Sequence, residues 1–171
     1  VLNGGYPILD RGMTPIYYDG VTAKVADITD EWYSYSDSLW ANAVIIKEDK
    51  RNNYKEVGKV VSEDDILAYF VWIPRYEYTI KASYGVNGTS ATTPGYIDIK
   101  FVSKDTSKKS GSATYTGTTP TNYLTHPAFT LGNTELNGIW VGKFETTGTA
   151  NGTTPIENPT IKPGIASLRS Q

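Results

Sequence analysis

Two neighbouring segments constrain what this chain can fold into more strongly than any other part of the sequence. Residues 66–73 form a continuous apolar run whose second half is β-branched or aromatic, and Pro74 follows it. The later residues of such a run predict a buried strand. Residues 76–81 then alternate between apolar and polar side chains, which predicts a half-buried strand. The predicted inward residues are Tyr76, Tyr78 and Ile80, and the predicted outward residues are Glu77, Thr79 and Lys81.

Further strand signals occur on both sides of this pair. Asp19-Gly20 lies between two β-favouring runs, 15–18 and 21–26, and predicts a hairpin with a two-residue turn. Residues 97–101 repeat the alternating pattern, and residues 137–145 form another strongly apolar strand. The predicted fold is therefore mainly β, of antiparallel strands with long polar loops.

One short helix is expected near residues 62–69, which would make the fold α+β in a minor way. Ser62 precedes three acidic residues, Glu63, Asp64 and Asp65. A capping hydroxyl followed by carboxylates suits the unpaired N–H groups and the positive end of a helix dipole.

The same patterns predict a division of the chain into parts. Residues 1–60 read as a small β-meander and residues 61–148 as the main β-rich domain. Within the latter, residues 103–121 are dominated by Ser, Thr, Lys and Gly, which predicts a flexible insertion because little apolar surface offsets the cost of ordering. Residues 149–171 are expected to form an extended tail that continues into a longer protein.

Composition removes several functional classes. The chain has no cysteine, so it has no disulfide, no thiolate metal site and no catalytic thiol. A formal net charge of −2 with interspersed signs argues against nucleic acid as a partner. No run approaches the roughly 18 apolar residues of a membrane span. The abundance of Thr, Asn, Gly and Tyr favours an extracellular location, and no cofactor or metal is expected.

Enzymatic functions lack most of their usual groups. His126 is the only histidine, and it precedes Pro127, a position biased to extended backbone where a packing role is expected. We therefore predict that the chain is not an enzyme. A glycosidase needs only two carboxylates, so that class stays open as a distant alternative.

Aromatic residues supply the candidate binding site. Sugars bind by stacking on aromatic faces while amide and carboxylate groups take the hydroxyls. An aromatic cluster amid Asp, Ser and Asn therefore predicts a ligand-binding site formed by Trp32, Tyr33, Tyr35 and Trp40. Trp72 and Trp140 lie in apolar strands and are expected in the core.

Three motifs carry a resemblance to known proteins. Residues 40–44 (Trp-Ala-Asn-Ala-Val), residues 71–78 (Val-Trp-Ile-Pro-Arg-Tyr-Glu-Tyr) and residues 125–148, which include Gly-Ile-Trp-Val-Gly-Lys-Phe-Glu, resemble a large group of uncharacterised secreted surface proteins of gut bacteria. The resemblance implies a cell-surface location. More distantly, residues 138–147 resemble an early strand of formylglycine-generating-enzyme-like domains, relatives of the C-type-lectin fold. The catalytic cysteines of that family have no counterpart here, so this similarity implies a scaffold without the activity.

These observations favour two functions. The first is a structural or fibre-forming, pilus-like surface subunit that self-associates when an exposed edge accepts a terminal strand from a neighbour. The alternative is an adhesin module that binds a carbohydrate or a surface receptor.

Overall fold

The computed structural model describes residues 5–30, 32–80, 97–104, 108–116, 119–151 and 154–163, and it is mainly β, as predicted. Its strands are β1 (Met13–Tyr18), β2 (Ala23–Val25), β3 (Asn42–Ile46), β4 (Ile66–Pro74), β5 (Tyr76–Ile80), β6 (Ile97–Phe101), β7 (Tyr115–Thr116), β8 (Thr119–Pro120), β9 (Leu124–Thr125), β10 (Thr130–Leu131), β11 (Thr134–Glu135), β12 (Gly138–Gly142), β13 (Thr146–Asn151) and β14 (Thr154–Ile161). Short 3-10 helices span Glu48–Asn53, Glu63–Asp65 and Pro127–Phe129. No helix among the described residues is long and apolar enough to cross a membrane.

The chain forms two compact units, and each is discontinuous in sequence. Unit one comprises Val1–Pro7 and Ile73–Ile139, and unit two comprises Ile8–Trp72 and Trp140–Gln171. The divisions that the sequence suggested near residues 60 and 148 do not coincide with these boundaries. Local patterns such as polar runs mark loops, whereas the units are defined by contacts between segments far apart in the chain.

Unit two is built on a seven-stranded sheet. The strand order is β13-β14-β4-β3-β1-β2, and β12 also pairs with β4. Strands β1, β2, β3 and β4 pair antiparallel, with Ile16 opposite both Val25 and Asn42. Directly opposed residues share one face of a sheet, so the registers place Ile16, Val25 and Val44 on one face. That face packs into a core with Ile46 and Ile66.

The first hairpin has a wider turn than the sequence suggested. Tyr18 pairs with Ala23, so four residues connect β1 and β2, and the expected two-residue turn is wrong. The Asp19 carboxylate accepts hydrogen bonds from the amides of Val21 (2.9 Å) and Thr22 (2.7 Å), and Gly20 takes a positive φ of 97°. These side-chain to backbone bonds stabilise the wider loop.

Of the short helix predicted near residues 62–69, only the 3-10 helix Glu63–Asp65 forms, with Ser62 at its N-cap, because residues 66–69 belong to strand β4. The Ser62 hydroxyl makes no capping hydrogen bond. Instead, the Tyr54 hydroxyl donates to the Asp65 carboxylate at 2.5 Å and accepts the Ser62 amide at 3.3 Å. A distant tyrosine therefore holds this turn.

Much of the segment expected as an extended tail belongs to the sheet of unit two. Strands β13 and β14 form an antiparallel hairpin with irregular register, and β14 pairs in parallel with β4 at Ile161 and Ala68. The hydroxyls of Thr147 and Thr160 lie 2.9 Å apart across the hairpin. Threonine-rich sequence with few large apolar residues can still form strands when a neighbouring edge supplies main-chain partners.

Unit one contains a three-stranded sheet, β6-β5-β9, and the predicted orientation of β5 is inverted. Glu77 and Thr79 are buried at 1% and 0% exposure, whereas Ile80 is exposed. Tyr76 and Tyr78 are half-buried and pack against His126 and Phe129 on the other face. Lys81 lies outside the described residues. The alternation along β5 was predicted correctly. Its polar face is the buried one, because other segments of unit one cover that face.

Buried charges explain this inversion. Arg75 is fully buried, and its Nη1 lies 2.6 Å from Glu135 Oε2 and donates to the carbonyl of Leu136 at 3.3 Å. The Glu77 carboxylate lies 3.1 Å from Lys109 Nζ and 3.5 Å from Lys100 Nζ. Charged groups can be buried when ion pairs and hydrogen bonds replace water.

The segment predicted as a flexible insertion supplies one of these partners, Lys109. It also contains β7 and β8, which pair with each other, and the Thr114 hydroxyl lies 2.6 Å from that of Thr121. Residues 105–107 and 117–118 of this segment lie outside the described residues. The flexibility of the insertion stays a prediction.

Replacing Arg75 by methionine should destabilise unit one by about 3–5 kcal/mol, because Glu135 would lose its buried partner. All four tryptophans belong to unit two. The measurement should therefore be hydrogen–deuterium exchange of the β5 and β6 amides, not tryptophan fluorescence. The matched control is Lys50→Met, which removes an exposed ion pair with Asp49 and should change stability by less than about 1 kcal/mol. Equal protection in both variants would contradict a central role for Arg75.

Glu135 should make unit one sensitive to acid. The Arg75 guanidinium, and then the Thr130 hydroxyl, hold the pKa of Glu135 below its ordinary value of 4.5. A carboxyl whose pKa is lowered by folding stabilises the fold above the unfolded-state pKa and loses that contribution as the pH falls through the folded-state value. The stability difference between wild type and Glu135→Gln should therefore shrink from about pH 6 to about pH 3. Exchange of β5 amides at each pH measures it, and a pH-independent difference would contradict this assignment.

Candidate functional site

The predicted aromatic site divides into buried and accessible members, all within unit two. Trp32 and Tyr35 are buried, Tyr33 is half-buried and Trp40 is 37% exposed. Trp32 and Tyr35 form a core cluster with Ala26, Ala41 and Trp72, against which Tyr33 and Trp140 pack. Trp32 and Tyr35 are therefore core residues, while Trp40 lies at the surface. Trp72 is buried and Trp140 half-buried, which agrees with the core role expected for them.

The aromatic rings form a continuous series from the core to the surface. Trp72 and Trp140 have centroids 5.2 Å apart, and Trp140 lies 6.3 Å from Trp32. At the other end, Tyr35 lies 5.1 Å from Tyr33 and 5.8 Å from Trp40. Burial raises the pKa of both tyrosines, most strongly that of Tyr35, so both rings stay neutral. A series of uncharged, tilted aromatic rings thus connects Trp40 to the core.

Hydrogen bonds fix two rings in the middle of this series and the turn before its surface end. Trp32 Nε1 donates to the Ile16 carbonyl at 3.1 Å, and Trp140 Nε1 donates to the Ile8 carbonyl at 2.7 Å. The loop before Trp40 is closed by two main-chain bonds between Ser34 and Leu39, of 2.9 and 2.8 Å. Trp40 therefore extends from a closed turn directly before β3.

Two adjoining cavities lie beside Trp40 on unit two. The larger, of about 660 Å³, is lined among others by Tyr18, Asn42, Glu63, Tyr69, Lys143 and Phe144. The smaller, of about 430 Å³, is lined among others by Tyr18, Trp32, Leu39, Trp40, Asn42 and Lys143. Because Ile16, Tyr18, Asn42 and Lys143 line both cavities, we treat them as one groove.

The groove is the part of a sheet face that the rest of unit two leaves open. Asn42 stands opposite Ile16 on one side and Val71 on the other, and Tyr69 stands opposite Val44 in the next row. Tyr54 and Val61 cover the neighbouring part of this face in the core. The floor of the groove is therefore a rigid sheet, which favours a preformed site.

Aromatic side chains give the groove accessible apolar surfaces. Tyr18 is 67% exposed, and its hydroxyl donates to the Val21 carbonyl at 3.1 Å. Tyr69 and Phe144 meet edge to face with centroids 5.6 Å apart. With Trp40, the groove offers aromatic groups in both of its cavities.

Polar groups of the groove are held in defined positions. Lys143 Nζ donates to Asn42 Oδ1 at 2.9 Å, and Asn42 Nδ2 donates to the Trp40 carbonyl at 2.7 Å. The Tyr69 hydroxyl donates to the Glu63 carboxylate. Burial, and then this bond, raise the pKa of Tyr69, so its hydroxyl stays protonated. Lys162 Nζ binds the Glu63 carbonyl at 2.6 Å.

Sequence reasoning found only Trp40 and Trp32 of the groove-lining residues. It missed Tyr18, Asn42, Tyr69, Lys143 and Phe144 as a group. Four separated segments bring them together, and the sequence marks each only as part of a strand or its end. The one usable signal was the strongly aromatic character of those strands.

The described residues offer no metal centre, since no group of three or more His, Asp or Glu side chains among them is placed to hold an ion. His126 has the expected packing role. Its Nδ1 accepts the Ala128 amide at 3.2 Å at the start of the 3-10 helix Pro127–Phe129, and its ring lies 5.4 Å from that of Tyr76.

Neither the family models, nor the curated proteins, nor the solved structures that were compared with this chain give a match.

The loss of folding stability on substitution distinguishes the buried Trp32 from the surface residue Trp40. Trp32→Ala should cost about 3–5 kcal/mol because it empties part of the core of unit two. Trp40→Ala should cost clearly less, since its ring is partly in water. Urea unfolding followed by far-UV circular dichroism measures both. Equal losses would show that Trp40 is a core residue and would remove it from the candidate site.

Proposed function

We propose that this chain is a carbohydrate-binding module of an extracellular bacterial surface protein, and that the groove on unit two binds an oligosaccharide. The observation that supports this most directly is the combination of Tyr18 and Trp40 with Asn42 in one groove on a rigid sheet. Of the two functions that the sequence favours, the adhesin is the one for which this groove supplies a binding surface.

The chemistry of sugars matches these groups. A pyranose ring has an apolar C–H face, which stacks on an indole or phenol, and a rim of hydroxyls, which need donors and acceptors. Beyond its bonds to the Trp40 carbonyl and to Lys143, Asn42 keeps a second amide N–H and a second lone pair, and Lys143 keeps two further N–H donors. The volumes of both cavities lie within the range of small-molecule sites.

The location and the absence of catalysis belong to the same proposal. Support for an extracellular location comes from the resemblance to secreted surface proteins and from the composition. Binding without catalysis is proposed because the groove-lining carboxylate, Glu63, is already engaged by the Tyr69 hydroxyl and by Lys162. A glycosidase would need a pair of carboxylates flanking the bound sugar.

The test is a glycan array with the purified chain, followed by calorimetry with the oligosaccharides that bind. Tyr18→Ala and Trp40→Ala should each weaken binding about tenfold, which corresponds to about 1.4 kcal/mol of lost stacking. The matched control is Tyr6→Ala, since Tyr6 is also an exposed tyrosine but lines neither cavity.

Three results would contradict the proposal. The first is that no glycan binds. The second is that Tyr6→Ala weakens binding as much as Tyr18→Ala does. The third is that bound glycans are cleaved, which would replace the binding module with a hydrolase. Binding to a host protein but to no glycan would favour a receptor-binding adhesin instead.

A further inference from the structure

Strand β6 is the outer strand of the sheet in unit one. The order is β6-β5-β9, and no other described strand pairs with β6. An outer strand presents unpaired main-chain groups and can accept another strand. This surface lies in unit one, so it is separate from the groove and does not depend on the function proposed for it.

The orientation of these main-chain groups follows from the register. Val102 donates its N–H to the Arg75 carbonyl at 3.1 Å, and Lys100 and Asp98 stand opposite Glu77 and Thr79 of β5. In an antiparallel pair, alternate residues bond to the neighbour. Asp98 and Lys100 therefore bond towards β5, and Ile97 and Ile99 direct their N–H and C=O groups away from it.

The side chains of β6 divide in the same alternating way. Ile97 and Ile99 are 60% and 54% exposed, on the face that also carries Tyr78 and the exposed Ile80. On the opposite face, Asp98 accepts the Tyr123 hydroxyl at 2.8 Å, and Lys100 Nζ lies 4.1 Å from the centre of the Tyr123 ring. One face is thus apolar and in water, and the other carries one negative and one positive charge two residues apart.

This charge pattern selects a partner with the same sequence. If a second β6 pairs antiparallel about a two-fold axis at Ile99, each Asp98 stands opposite a Lys100, which is a favourable cross-strand pair. A shift by one residue pair in either direction places Asp98 opposite Asp98 or Lys100 opposite Lys100, which is unfavourable. The two-fold register at Ile99 is also the one that pairs the outward main-chain groups of Ile99 with those of its copy.

We propose that β6 is a self-association site at which two copies of this chain pair antiparallel about Ile99. The pairing joins two three-stranded sheets into one and brings the exposed Ile97 and Ile99 side chains of the copies together on one face. A two-fold contact of this kind is closed, so it yields a dimer and no longer polymer.

The test uses the full chain in analytical ultracentrifugation over a wide range of protein concentration. The wild-type chain should be a dimer that dissociates on dilution. Ile99→Lys and Ile99→Glu should each be monomers, because each places two like charges opposite one another. An equimolar mixture of the two variants should form a heterodimer, since the introduced lysine of one chain then faces the introduced glutamate of the other.

Two controls separate pairing from folding and from general loss of apolar surface. Val57→Lys changes another exposed β-branched apolar residue, outside unit one, and should leave the dimer intact. Ile99→Pro removes only an outward N–H, which an outer strand tolerates, and should give a folded monomer. Circular dichroism verifies that every variant is folded.

Several outcomes would overturn the proposal. A wild-type chain that is monomeric at all concentrations would do so, as would a dimer that survives Ile99→Lys. Two monomeric variants that fail to combine would exclude the register at Ile99. Growth of the wild type into filaments would show that a different, open-ended contact dominates.

Discussion

The burial of Arg75 and Glu77, two charges almost side by side in the chain, is the constraint on which unit one depends. Neither side chain can leave water unless partners replace it. The partners come from far along the sequence, Glu135 for Arg75 and Lys109 for Glu77. The segments that carry these partners must therefore approach the same sheet face. That requirement turns the polar side of β5 inwards and leaves its apolar side, continued by β6, partly in water.

The sequence predicted where most strands lie, but it did not predict which face of β5 is buried or which distant residues meet in the groove. The hairpin at Asp19, the apolar run of β4, the alternation of β5 and β6 and the short helix after Ser62 are all local patterns, and all have counterparts in the structure. The face of β5 that is buried depends on ion pairs with distant residues, which no local pattern contains. The same is true of the groove: Trp40 was marked by its neighbours, whereas Tyr18 and Lys143 meet only because their strands lie in one sheet.

Unit two shows the complementary principle, in which rigidity comes from aromatic packing and not from charge. The series from Trp72 to Trp40 joins the core to the surface through ring contacts. The polar side chains that line the groove are themselves bonded, Lys143 to Asn42 and Glu63 to Tyr69. A ligand that stacks there would have little ordering to impose, and ordering is a major cost of binding.

The discontinuity of the two units has a consequence for how such a chain can vary. The continuous part of unit one, Ile73–Ile139, starts directly after Trp72 and ends directly before Trp140, and these two rings touch within unit two. The contact between Trp72 and Trp140 in unit two therefore holds the two ends of this segment close together. The length and sequence of a segment anchored in this way can change while the sheet of unit two keeps its own core. Variants that keep the contact between Trp72 and Trp140 can then differ widely in the residues between these two rings.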